Sequence, residues 1–109
     1  MANDISLTVR LPHQLNIQLG AISKEVGITK TNLIRSAIHD FLPSSEYELD
    51  FAAYPADKRD RLVLNVNQTT CGILENACQS HGQSMNSIVT AVSVLALERA
   101  AKWLQAVRR

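Results

Sequence analysis

Two short stretches of this sequence place side chains of hydrogen-bonding character at every second position, between apolar residues. Guanidinium and carboxamide groups form paired hydrogen bonds with flat polar edges, and hydroxyl groups both donate and accept. Such a row can recognise a ligand surface, or it can be the solvated face of a sheet. With one valine among them, the alternating positions are Ser6, Thr8, Arg10, Arg61, Val63 and Asn65.

No residue pattern in the chain predicts enzyme chemistry. The histidines, His13, His39 and His81, are scattered, and no His-x-x-x-His or Cys-x-x-Cys spacing offers a metal site. The sequence has no glycine-rich phosphate loop, and neither cysteine has a nearby base that would make it a nucleophile. We therefore expect no catalytic residues, no metal, no cofactor and no small-molecule ligand.

Length and composition predict one compact domain with an aliphatic core. The chain has 109 residues, of which 46% are hydrophobic and only 5% aromatic. The net charge of +1 is too weak to indicate a nucleic-acid partner by itself. Its distribution is uneven, because residues 43–60 carry −3 between flanks of +1 and +3.

The sequence favours a cytoplasmic location. It shows no secretory signal, lipidation motif or membrane span. Cys71 and Cys78 lie on one predicted helix, roughly 10 Å apart, which is too far for a disulfide. Both are expected to be small buried thiols in a reducing compartment.

The first part of the chain predicts a strand followed by two helices. Apolar residues at every second position over 5–11 predict the strand, which Pro12 ends. Apolar residues at helical spacing then predict a helix, and Gly27 fits the left-handed position after it. Thr29 is a good N-cap for a second helix, which Pro43 stops.

The same order recurs over residues 61–97, displaced by the 55 positions between Gly27 and Gly82. Asn67 and Ser84 are the expected caps of its two helices. This copy is degenerate, and the alternative is an unrelated β-α-α segment. Its last helix is apolar on nearly every side from Ile88 to Leu97, which predicts central burial, and it continues into the tail. The apolar stripe of that tail either packs within the chain, for instance on the linker, or forms an oligomer contact.

Residues 7–42 resemble the MetJ/Arc ribbon-helix-helix superfamily. The family's ordered series is found here as Leu11-Pro12, then Gly27-Ile28-Thr29-Lys30-Thr31, then Leu33-Ile34-Arg35. The second copy departs from this series at several positions. Thr70 stands where the first copy has Leu15, Met85 where it has Lys30, and Thr90 where it has Arg35.

The resemblance implies a mainly α fold with a two-stranded antiparallel β-ribbon. Family members need two units, and two units on one chain imply a tandem, intramolecular pseudo-dimer, as in conjugation accessory proteins of the TraY type. The alternative is a swapped or symmetric dimer of two chains. The expected organisation is a first repeat over 1–42, an acidic linker over 43–60, a degenerate second repeat over 61–97, and a helical extension over 98–109.

The resemblance also implies a partner, which is double-stranded DNA entered through its major groove. The outward strand residues would read bases. Arginine would bind guanine and asparagine adenine, serine and threonine would donate or accept a hydrogen bond, and valine would contact a thymine methyl. The helix N-termini would bind phosphates. The implied base readers are Ser6, Thr8, Arg10, Arg61, Val63 and Asn65. The implied phosphate-binding residues are Thr29, Lys30, Thr31, Ser84 and Asn86, with Met85 between the last two.

Three functions follow as hypotheses. The first is a transcriptional regulator that represses, and the second is a relaxosome accessory protein at a plasmid transfer origin. The third is an antitoxin-like module that binds a partner protein, which the short tail with few acidic residues disfavours. A second copy on an adjacent DNA site is expected to be compatible with the first two, and no membrane partner is expected.

Overall fold

A computed structural model describes residues 4–44, 46–52, 54 and 58–108. The described chain is mostly helical with one two-stranded antiparallel sheet, as the sequence predicts, and the element order β-α-α occurs twice. The elements are β1 (Ile5–Pro12), α1 (His13–Val26), α2 (Lys30–Phe41), β2 (Arg59–Val66), α3 (Gln68–His81) and α4 (Met85–Val107).

The two strands form a ribbon whose two faces differ completely. Ile5 pairs with Val66 and Pro12 with Arg59, so the ribbon is eight residue pairs long. The apolar residues of the alternation turn to the helices, and Val9 and Leu64 are fully buried there. A two-stranded ribbon is marginal in water without such a layer beneath it, so the helices are what keep the strands paired.

Local signals position the helices in both halves of the chain. Gly27 and Gly82 adopt the left-handed conformation, with φ of 75° and 62°, and each ends a helix. The hydroxyls of Thr29 and Ser84 accept hydrogen bonds from backbone N–H groups three residues on, and so cap α2 and α4. These predictions are confirmed, and the physical cause is the same in each half.

The core is aliphatic and draws on every element of the ribbon and helices. Helix α4 runs through it, with Ile88, Val92 and Ala96 buried. Its predicted central burial is confirmed on that side, while Val94 and Leu97 are only partly buried. The fully buried leucines and isoleucines of the other elements are Leu11, Leu15, Leu19, Leu33, Ile34, Ile38, Leu64 and Leu74.

Strand β2 begins at Arg59, two residues before the boundary that the sequence predicts. The last two residues of the predicted 43–60 linker therefore belong to the ribbon. The reason is a set of long-range hydrogen bonds, since the His13 N–H donates to the Lys58 carbonyl at 2.9 Å. In addition, Asp60 accepts from Asn16 at 2.8 Å, which fixes the chain beside the start of α1.

The C-terminal extension is the second half of α4, and it packs on α1 and α2. The Arg99 guanidinium forms an ion pair with Asp40 and lies 5.0 Å from the centroid of the Phe41 ring. Further along, Arg108 reaches Glu25 of α1 at 3.1 Å. Of the two large apolar residues of the stripe that remain exposed, Trp103 has 40% and Val107 has 83% of its surface accessible.

The described residues of the linker contact the helices through aromatic rings. Tyr47 packs edge-on against Phe41, with the two ring centroids 4.7 Å apart. The Tyr54 hydroxyl donates to Gln18 Oε1 at 2.5 Å. Burial, together with the charge of Glu98, raises the pKa of Tyr54. No helix in the described part of the chain has the length and apolar character needed to cross a bilayer.

Candidate nucleic-acid interface

The structure brings the six alternating residues together on one exposed face of the ribbon. The antiparallel register places Ser6 opposite Asn65, Thr8 opposite Val63 and Arg10 opposite Arg61. All six are exposed, and Val63 has 42% of its surface accessible in spite of its apolar side chain. The residues between them on each strand point the opposite way, toward the core. The same period of two residues therefore sets both the outward face and the core face of the ribbon.

One end of this face is neutral and held by hydrogen bonds. The Ser6 hydroxyl donates to the Asn65 side-chain oxygen at 2.9 Å. The Asn65 backbone carbonyl accepts from the Arg35 guanidinium at 2.7 Å, and Arg35 also donates to the Asn32 side chain. The first turns of α2 are thereby tied to the edge of β2, next to a polar groove of about 430 Å³ that includes His39.

The other end of the face is strongly basic. Arg10 lies directly opposite Arg61, and like charges in that position destabilise a strand pair. In the described part of the chain the ion pairs formed by arginine are those of Arg99 with Asp40 and Arg108 with Glu25. Neither Arg10 nor Arg61 belongs to them, so this end of the ribbon carries positive charge that an anionic ligand would neutralise.

The helix N-termini predicted to bind phosphate flank the ribbon. Asn86, in the first turn of α4, accepts a hydrogen bond from the backbone N–H of Arg10 at 3.1 Å. The Thr29 hydroxyl, besides capping α2, lies 3.5 Å from that of Thr31. Ser84 caps α4 and its hydroxyl donates to that of Ser87 at 3.1 Å. Capping thus occupies the side chains of Thr29 and Ser84, whereas backbone N–H groups of the first turn stay available to an anion.

Lys30, which is predicted to bind phosphate, has its ammonium group engaged within the protein. Its Nζ donates to the Asn16 side chain at 2.6 Å, and Asn16 in turn donates to Asp60. His13 Nδ1 lies 2.8 Å from the same Asp60 oxygen. These hydrogen bonds, first from Asn16 and then from His13, lower the pKa of Asp60. Four polar side chains therefore form one network at the basic end of the ribbon.

Two further polar residues of the structure were not predicted from the sequence. Thr70 is buried, and its hydroxyl lies 2.7 Å from His39 Nε2 of α2. The available signal was a threonine at the position where the first half has Leu15, since a buried hydroxyl needs a partner. Arg59 is the second omission, because its exposed side chain extends the outward row of β2 by one position.

The two cysteines are free thiols and only partly buried, in contrast to the predicted burial. The hydrogen bond of Cys71 to Glu75, at 3.3 Å, raises the pKa of that thiol. Burial raises the pKa of Cys78. In both cases the raised pKa disfavours the thiolate, which is the nucleophilic form.

The interface as a whole is an exposed two-stranded face whose outward positions carry no acidic residue, flanked by the first turns of α2 and α4. Comparison of the chain with protein-family models, with curated proteins and with solved structures gave no match. The geometry therefore carries the functional argument. It suits a polyanion that also presents hydrogen-bonding edges.

Proposed function

We propose that this chain is a ribbon-helix-helix protein that binds double-stranded DNA by inserting its β1–β2 ribbon into the major groove. The observation that supports the proposal is the register, which gathers hydrogen-bonding side chains into three exposed cross-strand pairs while the helices cover the opposite face. The major groove admits a two-stranded ribbon, and each base pair presents a distinct pattern of donors and acceptors there.

Each outward side chain has a matching base edge. Arg10 and Arg61 would donate paired hydrogen bonds to guanine O6 and N7, and Asn65 would pair with adenine N6 and N7. Ser6 and Thr8 would donate or accept, and Val63 would contact a thymine methyl. The hydrogen bond from Ser6 holds the Asn65 carboxamide in place and leaves its NH₂ group free to donate.

Phosphates on either side of the groove would bind at the first turns of α2 and α4. The contact of Asn86 with the backbone of Arg10 supports this assignment for α4, because it fixes the helix N-terminus beside the reading strand. Backbone N–H groups and the helix dipole favour an anion at both sites. In this arrangement Asn86 is a positioning residue.

We also propose that the two β-α-α units form a tandem pseudo-dimer within one chain. In support, α1 and α3 have the same length of 14 residues, and the glycines that end them are 55 positions apart. One strand of the ribbon comes from each unit, and the two strands carry different side chains. A closed chain of this kind would read a non-palindromic site and act in the cytoplasm as a transcriptional repressor by occupying an operator.

Selection of duplexes from a random DNA pool by the full-length chain, at near-physiological salt, tests the proposal. A single enriched non-palindromic motif is the expected result. A palindromic motif would indicate a symmetric pairing of two chains instead. Failure to enrich any motif would overturn sequence-specific binding and leave a protein partner as the better hypothesis.

The variant Arg10→Ala tests the reading face itself. We expect it to weaken binding to the selected duplex by about 1–3 kcal/mol, with little change on random duplex, because a bidentate guanine contact is lost. The matched control is Lys102→Ala, which removes one exposed charge on the far part of α4. Fluorescence anisotropy measures both, and equal losses on selected and random duplex would exclude Arg10 as a base reader.

A further inference from the structure

Charge is distributed unevenly along the exposed face of the ribbon. Three arginines, Arg10, Arg59 and Arg61, lie within the last pairs at the end where β2 begins. At the opposite end the outward pair is Ser6 with Asn65, and both side chains are neutral. Among the outward strand residues, the cationic groups are therefore confined to one end, while at the other end the guanidinium of Arg35, from α2, contacts the backbone of Asn65.

Arg59 belongs to this face because of how its side chain is held. It pairs with Pro12 in the register, yet its guanidinium reaches diagonally to the other strand, where Nη1 donates to the Arg10 carbonyl at 3.2 Å. The group thus lies against the backbone of β1 and is not directed beyond the end of the ribbon. Only one of its five N–H groups is engaged in this hydrogen bond, so a donor pair remains.

Within the part of the chain that the structure describes, no carboxylate pairs with any of the three guanidinium groups. The one carboxylate of strand β2, Asp60, is only partly exposed and engaged with Asn16 and His13. None of the three arginines takes part in an ion pair within the described residues. Such a cluster of like charges is unfavourable for the free protein and becomes favourable when a ligand with closely spaced acceptors binds.

We propose that Arg59 is a third guanine-reading residue, and that the chain docks on its DNA site in one orientation, with the arginine end of the ribbon on a guanine-containing end. The inference rests on the proposed function. Guanine presents two acceptors, O6 and N7, in the major groove, and arginine matches them with a planar pair of donors. A phosphate oxygen would accept from the same free donors, and the two assignments differ in the guanine preference that the experiments below measure.

Selections from a random duplex pool with the unmodified chain, Arg59→Ala and Arg59→Lys test this assignment. The unmodified chain is expected to enrich a motif with guanines at one end. Arg59→Ala should lose the preference for one terminal guanine and bind the selected duplex about 5- to 150-fold more weakly. Arg59→Lys keeps the charge but lacks the paired donors, so it should also lose the preference.

The matched control is Lys58→Ala, which removes the neighbouring exposed charge and should leave the motif unchanged. A test on the DNA side needs no protein variant, because 7-deazaguanine removes the N7 acceptor at one position. Placed at the terminal guanine, it should weaken binding by the unmodified chain and have no effect on binding by Arg59→Ala. Circular dichroism verifies that each variant is folded.

The outcomes separate this inference from the proposed function. A motif without guanine at either end would overturn the inference and leave DNA binding intact. If Arg59→Ala enriches the same motif and binds all duplexes more weakly by the same factor, Arg59 contacts phosphate, and the inference is overturned as well. No enrichment by the unmodified chain would overturn the proposed function itself.

Discussion

The N-terminal half (β1, α1 and α2) and the C-terminal half (β2, α3 and α4) agree in the turn that joins their two helices. Gly27 and Gly82 have positive φ, and Thr29 and Ser84 cap the following helices in the same way. The capping residues and turn glycines thus occur in both halves at equivalent positions. What the two halves do not share is the cap of the first helix, since Asn67 caps α3 with its side chain and Pro12 does not cap α1, and the length of the second helix, which is 12 residues in α2 and 23 in α4.

The halves differ in the polar network at the basic end of the ribbon. His13, Asn16, Lys30 and Asp60 are joined there by hydrogen bonds. Their counterparts 55 positions away include Met85 and Cys71, which pack against the core. The basic end of the ribbon is therefore fastened by this network, whereas the neutral end is held by the separate hydrogen bonds of Ser6, Asn65 and Arg35. The two ends of the exposed face are not interchangeable, and a ligand meets different chemistry at each.

The largest expected effect concerns the one core that both halves share. Leu19 and Leu74 are counterparts, and both are fully buried. Leu19→Ala and Leu74→Ala should each reduce the free energy of unfolding by about 2–5 kcal/mol, because each leaves a cavity. Urea unfolding followed by far-UV circular dichroism and by Trp103 fluorescence measures this.

The two probes should give one coincident transition in both variants if the halves fold as a unit. Val107→Ala is the control, because the side chain is exposed and its truncation should change the free energy of unfolding by less than about 0.5 kcal/mol. Two separate transitions in either variant would show that the halves are independent.

A second, smaller effect concerns the lysine charge that lies at the start of α2 and is absent from the start of α4. Met85→Lys introduces at α4 the lysine that α2 has, and it should steepen the dependence of log K on log salt by about 0.9. Lys30→Ala should reduce the slope by less than about 0.5, because Nζ is held by Asn16. Binding titrations over a salt series measure both slopes.

Met85→Leu is the matched control for packing, and it should leave the salt slope unchanged. The expected change with Met85→Lys is equal on selected and random duplexes, since phosphates carry no sequence information. A full unit lost with Lys30→Ala would mean that this lysine leaves the network to bind phosphate, as the sequence analysis expected.

The smallest expected effect is the pH dependence contributed by Asp60. Its hydrogen bonds to Asn16 and His13 lower the pKa in the folded state, so the ionised form stabilises the fold above the unfolded value of about 3.9. That contribution is lost as the pH falls below about 3.9 and through the lower folded pKa. The stability difference between the unmodified chain and Asp60→Asn should therefore shrink in acid.

Urea midpoints measured from about pH 7 to about pH 2 follow this difference. Glu48→Gln, at an exposed position of the linker, is the control for removing one negative charge. A difference between the unmodified chain and Asp60→Asn that stays constant over the whole range would contradict the assignment.

The strands, helices and caps could be predicted because their signals are local. Alternation of apolar residues set the ribbon faces, and single residues such as Gly27 and Ser84 set helix ends. The start of β2 was missed because Arg59 and Asp60 carry no hydropathy signal. It is fixed by contacts with His13 and Asn16, which are more than forty positions away in the sequence.

The outward positions of the candidate site could be predicted from periodicity, but the hydrogen bonds that link its side chains could not. Nothing in the spacing of Asn86 indicates that its carboxamide accepts from the backbone of Arg10, and the inward contact of Lys30 with Asn16 was equally hidden. Such pairs depend on how the helices approach the ribbon. Periodicity predicts which face of the strand a residue lies on, but it does not predict which side chains the residue contacts.

Helix α4 is 23 residues long, and this length sets a fixed distance between two parts of the molecule. It begins beside the ribbon, where Asn86 contacts Arg10, and its last turn lies near Glu25 at the far end of α1. At 1.5 Å of rise per residue, the helix separates these two places by about 34 Å. A fluorophore or an affinity surface coupled near Val107 would thus stand at a fixed distance from the ribbon, so the orientation of the chain on a labelled duplex could be measured by energy transfer.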